Sequence, residues 1–324
     1  GHTLPKSHYY KWFLEHGGTD DMFDVELYGP AYTPDERCGV RKMPSTLSSS
    51  SFVGDRAVNY LRHVRNPNQP FFLSVSFPDP HHPFTSCFDD YETWRTRPVH
   101  QPIGDASDLA TRPPHYERHF RGGWTSRGEV PCRYSEGVPE VIATERTRHT
   151  YAMIDNIDRN IGKVIDELET LDLLDDTIIV FASDHGELLG DHGLWLKGPF
   201  FYEGLINTPL LMRVPGYQQR ICGQLISSVD LAPTIYDLLG LEIPLYIDGV
   251  SQVETLKNEE VVCRDSCVVE YRNGYHCDVN VNALVTKSYK FVQYENGEAE
   301  YTDLAVDPSE SVNRANDPAW HCQV

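Results

Sequence analysis

The chain has 324 residues, of which 40% are hydrophobic and 23% are charged, an ordinary composition for a globular protein with a sizeable core. Its formal net charge of −20 repels nucleic acid and anionic membrane surfaces, so we expect neither as a partner. The sequence contains no apolar run of about 18 residues, the length that would indicate a membrane-spanning helix.

The first part of the chain alternates between helical and strand patterns. Apolar residues at helical spacing predict a helix over residues 52–64. The run FFLSVSF (71–77) predicts a buried strand that ends at prolines. A long helix is predicted over residues 141–171, with one apolar face formed by Tyr151, Ile154, Ile157, Ile161, Val164, Ile165, Leu168 and Leu171.

The same alternation continues after the long helix. TIIVFA (177–182) and PLLMRV (209–214) predict two more strands, and Asp230 is a candidate cap for a helix that runs to Leu239 and stops at Gly240. Helices that alternate with short apolar strands predict an α/β fold, with a mostly parallel sheet sandwiched by helices. In such sheets ligands bind at the carboxyl ends of the strands.

Two regions depart from this pattern. Residues 85–138 are rich in Pro, Arg, His and Gly without periodicity, so we expect an irregular insertion near the mouth of the site. From residue 254 onward the pattern is typical of strands and hairpins. We therefore expect a main domain over residues 1–253 and a smaller antiparallel subdomain over residues 254–324.

The segment SDHGELLGDHGLWLKG (183–198) places charged residues directly after a predicted buried strand. Asp184 and His185 can both face a divalent cation there because the chain leaves the pleat at the end of the strand. The alternative is an Asp that caps a turn and a His that bonds a loop carbonyl. Lys197, one of eight lysines, can reach an anion at the same place or lie on the surface.

A second histidine-bearing loop follows the strand FFLSVSF. In PDPHHPF, prolines on both sides of His81 and His82 stiffen the backbone and hold the side chains in place. A general acid or an anion-contacting histidine fits this loop, and a structural histidine is the alternative.

Together these segments resemble one known family. SDHGELLGDHGLWLKG, continued by FFYEGLINTPLLMRVPG, resembles the sulfatase family of the alkaline-phosphatase superfamily, whose members include arylsulfatases, choline-sulfatases and phosphonate monoester hydrolases. PHHPF resembles the P-H-x-P-aromatic motif of that family. SSVDLAPTIYDLLGL and YTDLAVDPSESVNRANDP resemble its later landmarks, so the resemblance covers nearly the whole chain.

The resemblance implies a role for each candidate residue. Asp184 and His185 are expected to bind a divalent metal, calcium in the first place, with manganese or magnesium as alternatives. Lys197 is expected to contact the sulfate as a catalytic residue. His81, rather than His82, is expected to contact the sulfate ester, also as a catalytic residue.

The resemblance also implies parts that this sequence does not encode. The nucleophile of the family is a formylglycine made from the first residue of a C/S-x-P/A-x-R motif, and none of the eight cysteines begins such a motif. The early Asp-Asp strand is missing too, because TDD (19–21) follows HGG rather than an apolar run. We therefore expect a sulfatase that lacks its amino-terminal part and is inactive alone, with exposed apolar surface and unpaired backbone groups where the first strand is missing.

Three functions remain open from the sequence. The first is a sulfatase that cleaves a small sulfate ester. The second is a phosphonate or phosphate diester hydrolase of the same superfamily, because an Asp-His pair also suits manganese. The third is a non-catalytic binding protein descended from a sulfatase. The missing amino-terminal part or a second copy of the chain is a possible partner, and the sequence leaves the cellular compartment open.

Overall fold

The computed structural model describes residues 7–27, 38–120, 140–258, 260–272 and 279–318. These residues form eight α-helices: α1 (His8–Glu15), α2 (Ser49–Asn59), α3 (Phe88–Trp94), α4 (Pro114–Phe120), α5 (Glu140–Thr170), α6 (Glu203–Ile206), α7 (Leu231–Leu238) and α8 (Val253–Lys257). They also form nine strands: β1 (Val25–Leu27), β2 (Cys38–Arg41), β3 (Phe84–Cys87), β4 (Ile179–Ala182), β5 (Leu210–Arg213), β6 (Cys267–Tyr271), β7 (Val281–Val285), β8 (Tyr289–Tyr294) and β9 (Ala299–Asp303).

The chain divides into two compact units. The first unit contains Gly1–Gln101 and Val138–Thr177, and the second contains Pro102–Gly137 and Ile178–Val324. In the described part of both units, no helix is long and apolar enough to cross a membrane.

The first unit is built around the long helix α5. This helix packs against α2 and α3 and against the strands β2 and β3. The strands form a sheet in the order β1-β2-β3, in which β1 and β2 are antiparallel and β2 and β3 are parallel. Beside this sheet, α1 buries Trp12 and Phe13 in an apolar cluster with Met43 and Leu47.

Polar side chains fill the contact between α2 and α5. The amide of Asn156 donates to Asp90 at 2.9 Å and to Ser48 at 3.2 Å, and all three residues are buried. Gly54 lets the two helices come close, because a Cβ atom there would lie 2.7 Å from Oδ1 of Asn160. Because buried polar groups usually have hydrogen-bond partners, these bonds fix the position of α5 against α2 and α3.

The long helix lies where the sequence predicted it, but its apolar face is partly misassigned. Ile157 and Leu168 are buried as expected, whereas Ile154 is 45% exposed. Asn156 and Asn160 take places on the buried face instead. The pattern of apolar residues did not predict that these two residues are buried, because asparagine is polar. Hydrogen bonds to the asparagine side chains offset the cost of burying them.

A buried histidine links α5 to the sheet of the first unit. Nδ1 of His149 lies 2.7 Å from the hydroxyl of Ser86 on β3, and its ring stacks on Tyr91 with 4.6 Å between centroids. Burial, helped by the charge of Arg148, lowers the pKa of His149 to about 3. The ring is therefore neutral at physiological pH. It connects α5 to β3 by its hydrogen bond to Ser86 and by its packing on Tyr91.

The second unit contains two separate sheets. Strands β4 and β5 pair antiparallel, with Ile179 opposite Arg213 and Ala182 opposite Leu210. Strands β6 to β9 form a four-stranded antiparallel meander in sequence order. The inward side chains of this meander, among them Val281, share an apolar cluster with Leu188 and Phe200.

The fold class predicted from the sequence is confirmed. The chain is an α/β protein with a separate antiparallel sheet in its carboxyl-terminal part, and β6, β7, β8 and β9 lie in the segments predicted as strands. Parallel pairing, however, is limited in the described residues to β2 and β3. The predicted strands 177–182 and 209–214 exist as β4 and β5, but they pair antiparallel with each other.

Two element predictions are wrong. Residues 71–77 form no strand, because no backbone hydrogen bond joins them to any other described residue. Much of residues 85–120 is regular, since β3, α3, the 3₁₀ helix Ala106–Thr111 and α4 lie there. Pro and Arg in this region obscured those short elements. The rest of the predicted insertion, 121–138, lies outside the described residues.

A buried carboxylate organises the chain around α7. That helix follows Asp230 and ends before Gly240, which has a left-handed backbone with φ of 66°, as predicted. The carboxylate of Asp230 does not cap α7. It is fully buried and accepts hydrogen bonds from the backbone N–H groups of Ser227 and Val250, the amide of Gln252, and Nε and Nη2 of Arg264.

Asp230 should make a large, pH-dependent contribution to stability. Burial favours the protonated carboxyl, but the bonds from Arg264 and the two backbone N–H groups outweigh it and hold the pKa of Asp230 below its usual value. The stabilisation is therefore complete above the unfolded pKa of about 3.9 and is lost as the pH falls through the lower folded pKa. We expect Asp230→Asn to lower the free energy of unfolding by about 3 kcal/mol at neutral pH.

Urea denaturation of both proteins from neutral to acid pH measures this difference. The difference in the free energy of unfolding between wild type and variant should become smaller below about pH 4. Asp248→Asn is the matched control, because Asp248 is exposed and precedes the same region. A difference that stays constant with pH, or that equals the control, would contradict the assignment.

Candidate functional site

Strand β4 leads directly into residues 183–198, which we call the site loop. The loop brings Asp184, His185 and Lys197 together, as the sequence predicted for a segment at the end of a strand. Nζ of Lys197 lies 2.8 Å from Nε2 of His185, and Oδ2 of Asp184 lies 3.5 Å from the same nitrogen. The side chain of Asp184 is 85% exposed, so the cluster opens to solvent.

The hydrogen bonds of His185 select one tautomer of its ring. Nδ1 lies 2.8 Å from the carbonyl oxygen of Gly186, and since a carbonyl only accepts, Nδ1 carries the proton. Nε2 therefore presents a lone pair, to which the ammonium group of Lys197 donates. A metal ligand requires the same lone pair, so Lys197 contacts the atom that His185 would offer to a cation.

Gly186 is required by close packing. A Cβ atom at this position would lie 1.9 Å from the carbonyl oxygen of Gly204, at the start of α6. The backbone N–H of Gly186 donates to Leu205 of the same helix at 2.8 Å. These contacts hold the start of the site loop against α6, immediately after the two candidate ligands.

Glu187 links the beginning and the end of the site loop through hydrogen bonds to backbone N–H groups. The sequence did not indicate this role. Its Oε1 accepts the backbone N–H of Leu196 at 2.5 Å and that of Leu189 at 3.3 Å. Leu188 and Leu194 bury their side chains in the core of the second unit. The carboxylate thus joins the two ends of the loop and places Lys197 beside His185.

Asp191 and His192 order the loop rather than extend the cluster. Asp191 accepts the backbone N–H of Ile103 at 2.8 Å. His192 is buried, lies 2.9 Å from a carboxylate oxygen of Asp108, and stacks on Tyr202 with 4.0 Å between ring centroids. The middle of the site loop is therefore fixed to the segment that precedes α4.

A buried ion pair between Arg112 and Glu300 connects the stacked rings of His192 and Tyr202 to the carboxyl-terminal sheet. The guanidinium of Arg112 lies over the ring of Tyr202, 5.0 Å from its centroid. Nη1 of Arg112 donates to Glu300 on β9 at 2.6 Å, with both side chains 3% exposed. The hydroxyls of Tyr116 and Tyr294 donate to the other oxygen of Glu300 at 2.8 and 2.5 Å.

Charge and burial fix the protonation states in this network. Burial would lower the pKa of Arg112, but the carboxylate of Glu300 outweighs it and raises that pKa, so Arg112 stays charged. Burial, together with the charge of Glu300, raises the pKa values of Tyr116 and Tyr294, so both remain proton donors. No sequence pattern indicated this network, because its members are far apart along the chain.

His81 lies in the first unit, on the loop between residues 71–77 and β3. Its side chain is exposed, and Nδ1 lies 2.6 Å from the carbonyl oxygen of His82. Since a carbonyl only accepts, Nδ1 carries a proton, and Nε2 is the ring nitrogen left for other partners. The ring centroids of His81 and His82 lie 3.9 Å apart, so the two imidazoles pack against each other. That His81 meets the site loop remains a prediction.

The described residues do not complete a metal site. Asp184 and His185 offer an oxygen and a nitrogen donor at one place, which is the donor chemistry expected. No group of three or more His, Cys, Asp or Glu side chains in the described ranges is placed to hold a metal ion. Calcium usually takes six to eight oxygen ligands, so these two side chains supply only part of a calcium site.

Comparison with known proteins places this loop in a family. The Sulfatase family model matches residues 3–241, and a second model, N-sulphoglucosamine sulphohydrolase, C-terminal, matches residues 190–323. An arylsulfatase of Clostridium perfringens is 27% identical over 324 residues, which cover 95% of this chain and 61% of that protein. The chain therefore spans less than two thirds of this curated relative.

Solved structures agree with the fold. A phosphonate monoester hydrolase of Agrobacterium radiobacter matches with a TM-score of 0.80 and 22% identity, covering 98% of this chain and 66% of that one. BT4656, solved in complex with its substrate D-glucosamine-2-N,6-O-disulfate, matches with a TM-score of 0.71 and 22% identity, covering 85% and 67%.

The Arg112–Glu300 pair makes a testable prediction about the loop. Glu300→Gln leaves the guanidinium buried without its countercharge, so we expect the free energy of unfolding to fall by about 3 kcal/mol. The site loop should also exchange its amide hydrogens faster, because the support behind Tyr202 is weakened. Urea denaturation and hydrogen-exchange mass spectrometry of residues 183–198 measure the two effects.

Glu295→Gln is the control for that variant. Glu295 is exposed at the end of the same hairpin, where it accepts only from Asn280 in the described residues. Its substitution should change the free energy of unfolding by less than about 0.5 kcal/mol. If the two variants were equally stable and equally protected in the loop, the supporting role of Glu300 would be wrong.

Proposed function

Because the chain belongs to the sulfatase family, we propose that it forms most of a sulfuric ester hydrolase, a sulfatase that converts a sulfate ester and water into an alcohol and sulfate. In this proposal Lys197 and His81 are catalytic residues, and Asp184 and His185 are metal ligands. The hydrolase family is established by the family models, whereas the roles of individual residues are our inference.

The observation that carries the proposal is the shared position of three side chains at the end of β4. A carboxylate, an imidazole lone pair and an ammonium group meet within 3.5 Å of Nε2 of His185. The carboxylate and the lone pair suit a divalent cation, which supplies Lewis-acid polarisation of an anion when bound. The ammonium suits the anion itself.

Charge strengthens the case for Lys197. A chain with a net charge of −20 repels a sulfate ester, so an anion site must be built from local positive charge. Lys197 supplies such a charge beside the candidate metal ligands. If a cation bound Nε2 of His185, the ammonium group of Lys197 would lose its hydrogen bond to that nitrogen. It would then donate to a sulfate oxygen instead.

His81 has the properties of a proton donor for the leaving group. Cleavage of the S–O bond leaves an alkoxide, which takes a proton as it departs. His81 is exposed on a loop stiffened by prolines, and Nε2 is the ring atom available to bind a proton and pass it on. In this role it would act on the ester oxygen, while Lys197 binds the sulfate.

We further propose that the 324 residues are inactive on their own. None of the cysteines begins the motif from which the family makes its formylglycine nucleophile. The curated arylsulfatase relative is longer, with only 61% of its length covered by this chain. The nucleophile and the remaining metal ligands would then belong to sequence outside these residues.

A phosphonate or phosphate diester hydrolase is the alternative within the same superfamily. The fold match to the phosphonate monoester hydrolase, with 98% of this chain covered, supports keeping it. A non-catalytic binding protein is the second alternative, and the missing nucleophile motif supports it. Neither alternative changes the expected position of the anion, because sulfate and phosphonate share a tetrahedral shape.

The purified 324-residue chain should not hydrolyse 4-nitrophenyl sulfate, because it provides no nucleophile of the family type. It should also leave 4-nitrophenyl phenylphosphonate intact. Release of 4-nitrophenol measures both reactions, and buffer without protein sets the background. Turnover of the sulfate above that background would refute the proposed inactivity.

The DNA upstream of the codon for Gly1 separates an enzyme from a binding protein. An open frame that continues into a C-x-P-S-R motif supports the sulfatase, whereas a stop codon followed by an independent promoter supports the non-catalytic protein. If the frame is open, the longer protein should hydrolyse the sulfate faster than the phosphonate. The opposite preference would favour the phosphonate hydrolase.

In that longer protein, Lys197→Ala and His81→Ala should each lower kcat/KM for the sulfate by about 10²- to 10³-fold, as expected when a group that stabilises developing charge is removed. Lys287→Ala and His100→Ala are matched controls, because both residues are exposed and neither lies in the proposed site. Equal rates for Lys197→Ala and Lys287→Ala would remove Lys197 from the mechanism.

A further inference from the structure

A buried glutamate with an unusual backbone lies in the segment YTDLAVDPSESVNRANDP (301–318), to which the proposed chemistry assigns no role. Glu310 has φ of 55°, in the left-handed region that favours glycine, asparagine and aspartate. The residue is nevertheless only 4% exposed, and a buried carboxylate is costly unless it is paired. Backbone strain and a buried charge at one residue indicate that its side chain has a specific role.

The turn that presents Glu310 is held by Asp307. The carboxylate of Asp307 accepts the backbone N–H groups of Ser311 at 3.2 Å and of Val312 at 3.0 Å. The backbone N–H of Glu310 donates to the carbonyl oxygen of Asp307 at 3.1 Å. The backbone of Glu310 is therefore fixed on both sides, so its side chain leaves the turn in a defined direction.

Both carboxylate oxygens of Glu310 have partners. Oε1 accepts from Nζ of Lys290 on β8 at 2.5 Å, and Oε2 accepts the backbone N–H of Glu203 at 2.6 Å. Lys290 is 3% exposed and also donates to Oε1 of Glu203 at 3.1 Å. The carbonyl oxygen of Glu310 accepts from the guanidinium of Arg112. Glu310 thus connects the carboxyl-terminal sheet to the first residue of α6.

Helix α6 depends on this contact for its position. It is four residues long, a single turn, and its N-cap is Tyr202, a residue type that does not cap helices. The first N–H groups of a helix have no partner within it, and one turn is too short to be stable alone. The carboxylate of Glu310 supplies the missing acceptor from 107 positions further along the chain.

Both ends of the site loop are attached to α6. At the first end, the backbone N–H of Gly186 donates to the carbonyl oxygen of Leu205 at 2.8 Å. At the other end, Lys197 lies six positions before Glu203. The residues between them include three buried aromatic side chains, those of Phe200, Phe201 and Tyr202.

The two hydrogen bonds of the His185 ring therefore depend on α6. Nδ1 lies 2.8 Å from the carbonyl oxygen of Gly186, and Nε2 lies 2.8 Å from Nζ of Lys197. Gly186 and Lys197 are the two ends of the loop that α6 holds. A shift of α6 would change the surroundings of both ring nitrogens at once.

We propose that Glu310 is a positioning residue for the candidate site, and that it acts through α6 to fix both hydrogen bonds of His185. Glu310 contacts neither the candidate metal ligands nor Lys197, so it has no catalytic role of its own. That the positioned site cleaves a sulfate ester rests on the proposed function. The positioning itself rests only on contacts within the second unit.

Glu310→Asp tests the reach of the carboxylate. Aspartate keeps the negative charge and tolerates a left-handed backbone, but its side chain is shorter by one carbon–carbon bond, about 1.5 Å. It cannot reach Lys290 and Glu203 together. We expect it to stay with the ammonium, because the attraction between opposite charges is the stronger interaction, and to lose the N–H of Glu203.

NMR of the 324-residue chain with ¹⁵N-labelled histidine and glycine measures the effect. At about pH 8.5, where an ordinary histidine is neutral, the wild-type His185 ring should carry its proton on Nδ1. In Glu310→Asp the same ring should populate both tautomers, and the amide of Gly186 should exchange at least about tenfold faster. His185→Gln removes the ring signal and thereby identifies it.

Two controls separate positioning from other effects of substitution. Glu295→Asp makes the same change at an exposed residue of the second unit, and Asp230→Asn lowers stability around α7 without removing a contact of α6. Both should retain the wild-type ring signal. An Asp230→Asn variant that altered the ring as much as Glu310→Asp would overturn the proposal, since the ring would then respond to stability alone.

Glu310→Gln is the complementary variant, because it keeps the length of the side chain and one acceptor oxygen but loses the charge. Its His185 ring should match the wild type even if the protein is less stable. A folded Glu310→Asp with the wild-type ring and Gly186 amide would overturn the proposal. If Glu310→Asp does not fold, an altered ring in Glu310→Gln would do so. None of these readouts depends on hydrolysis, so the positioning role and the proposed sulfatase activity can fail separately.

Discussion

The ion pair between Arg112 and Glu300 is the interaction on which the arrangement of the second unit depends. It lies in the core, where a charge without a partner is costly, so each residue requires the other. Through Tyr202 and His192, it connects a strand of the carboxyl-terminal sheet to the site loop. The carboxyl-terminal sheet therefore supports the site loop, although the two are far apart along the chain.

The first unit uses side-chain amides for contacts of this kind. Asn156 and Asn160 are buried on α5, and their amides bond to Ser48, Asp90 and Ser51. Such bonds have directions, so they define one register between α2 and α5 more sharply than apolar packing alone. Both units thus use buried polar networks to position long-range contacts, one with charges and the other with amides.

In the described part of the chain, neither the candidate metal site nor the segment 71–77 has a full set of partners. Asp184 and His185 supply two donors where a calcium ion takes six to eight, and residues 71–77 form no hydrogen bond with another described residue. Metal ligands and strand partners are both contributed by segments that are distant along the chain, so neither can be completed by local sequence.

The sequence alone determined the family, the α/β class, the long helix α5 and the strands β4 to β9, because these depend on local patterns of apolar residues, turns and motifs. It also determined that Asp184, His185 and Lys197 share one loop. Only the tertiary structure decided which strands pair, that residues 71–77 bond to no other described residue, and that Glu187, Arg112 and Glu300 hold the site loop. Those outcomes depend on partners far away in sequence, and local patterns carry no information about such partners.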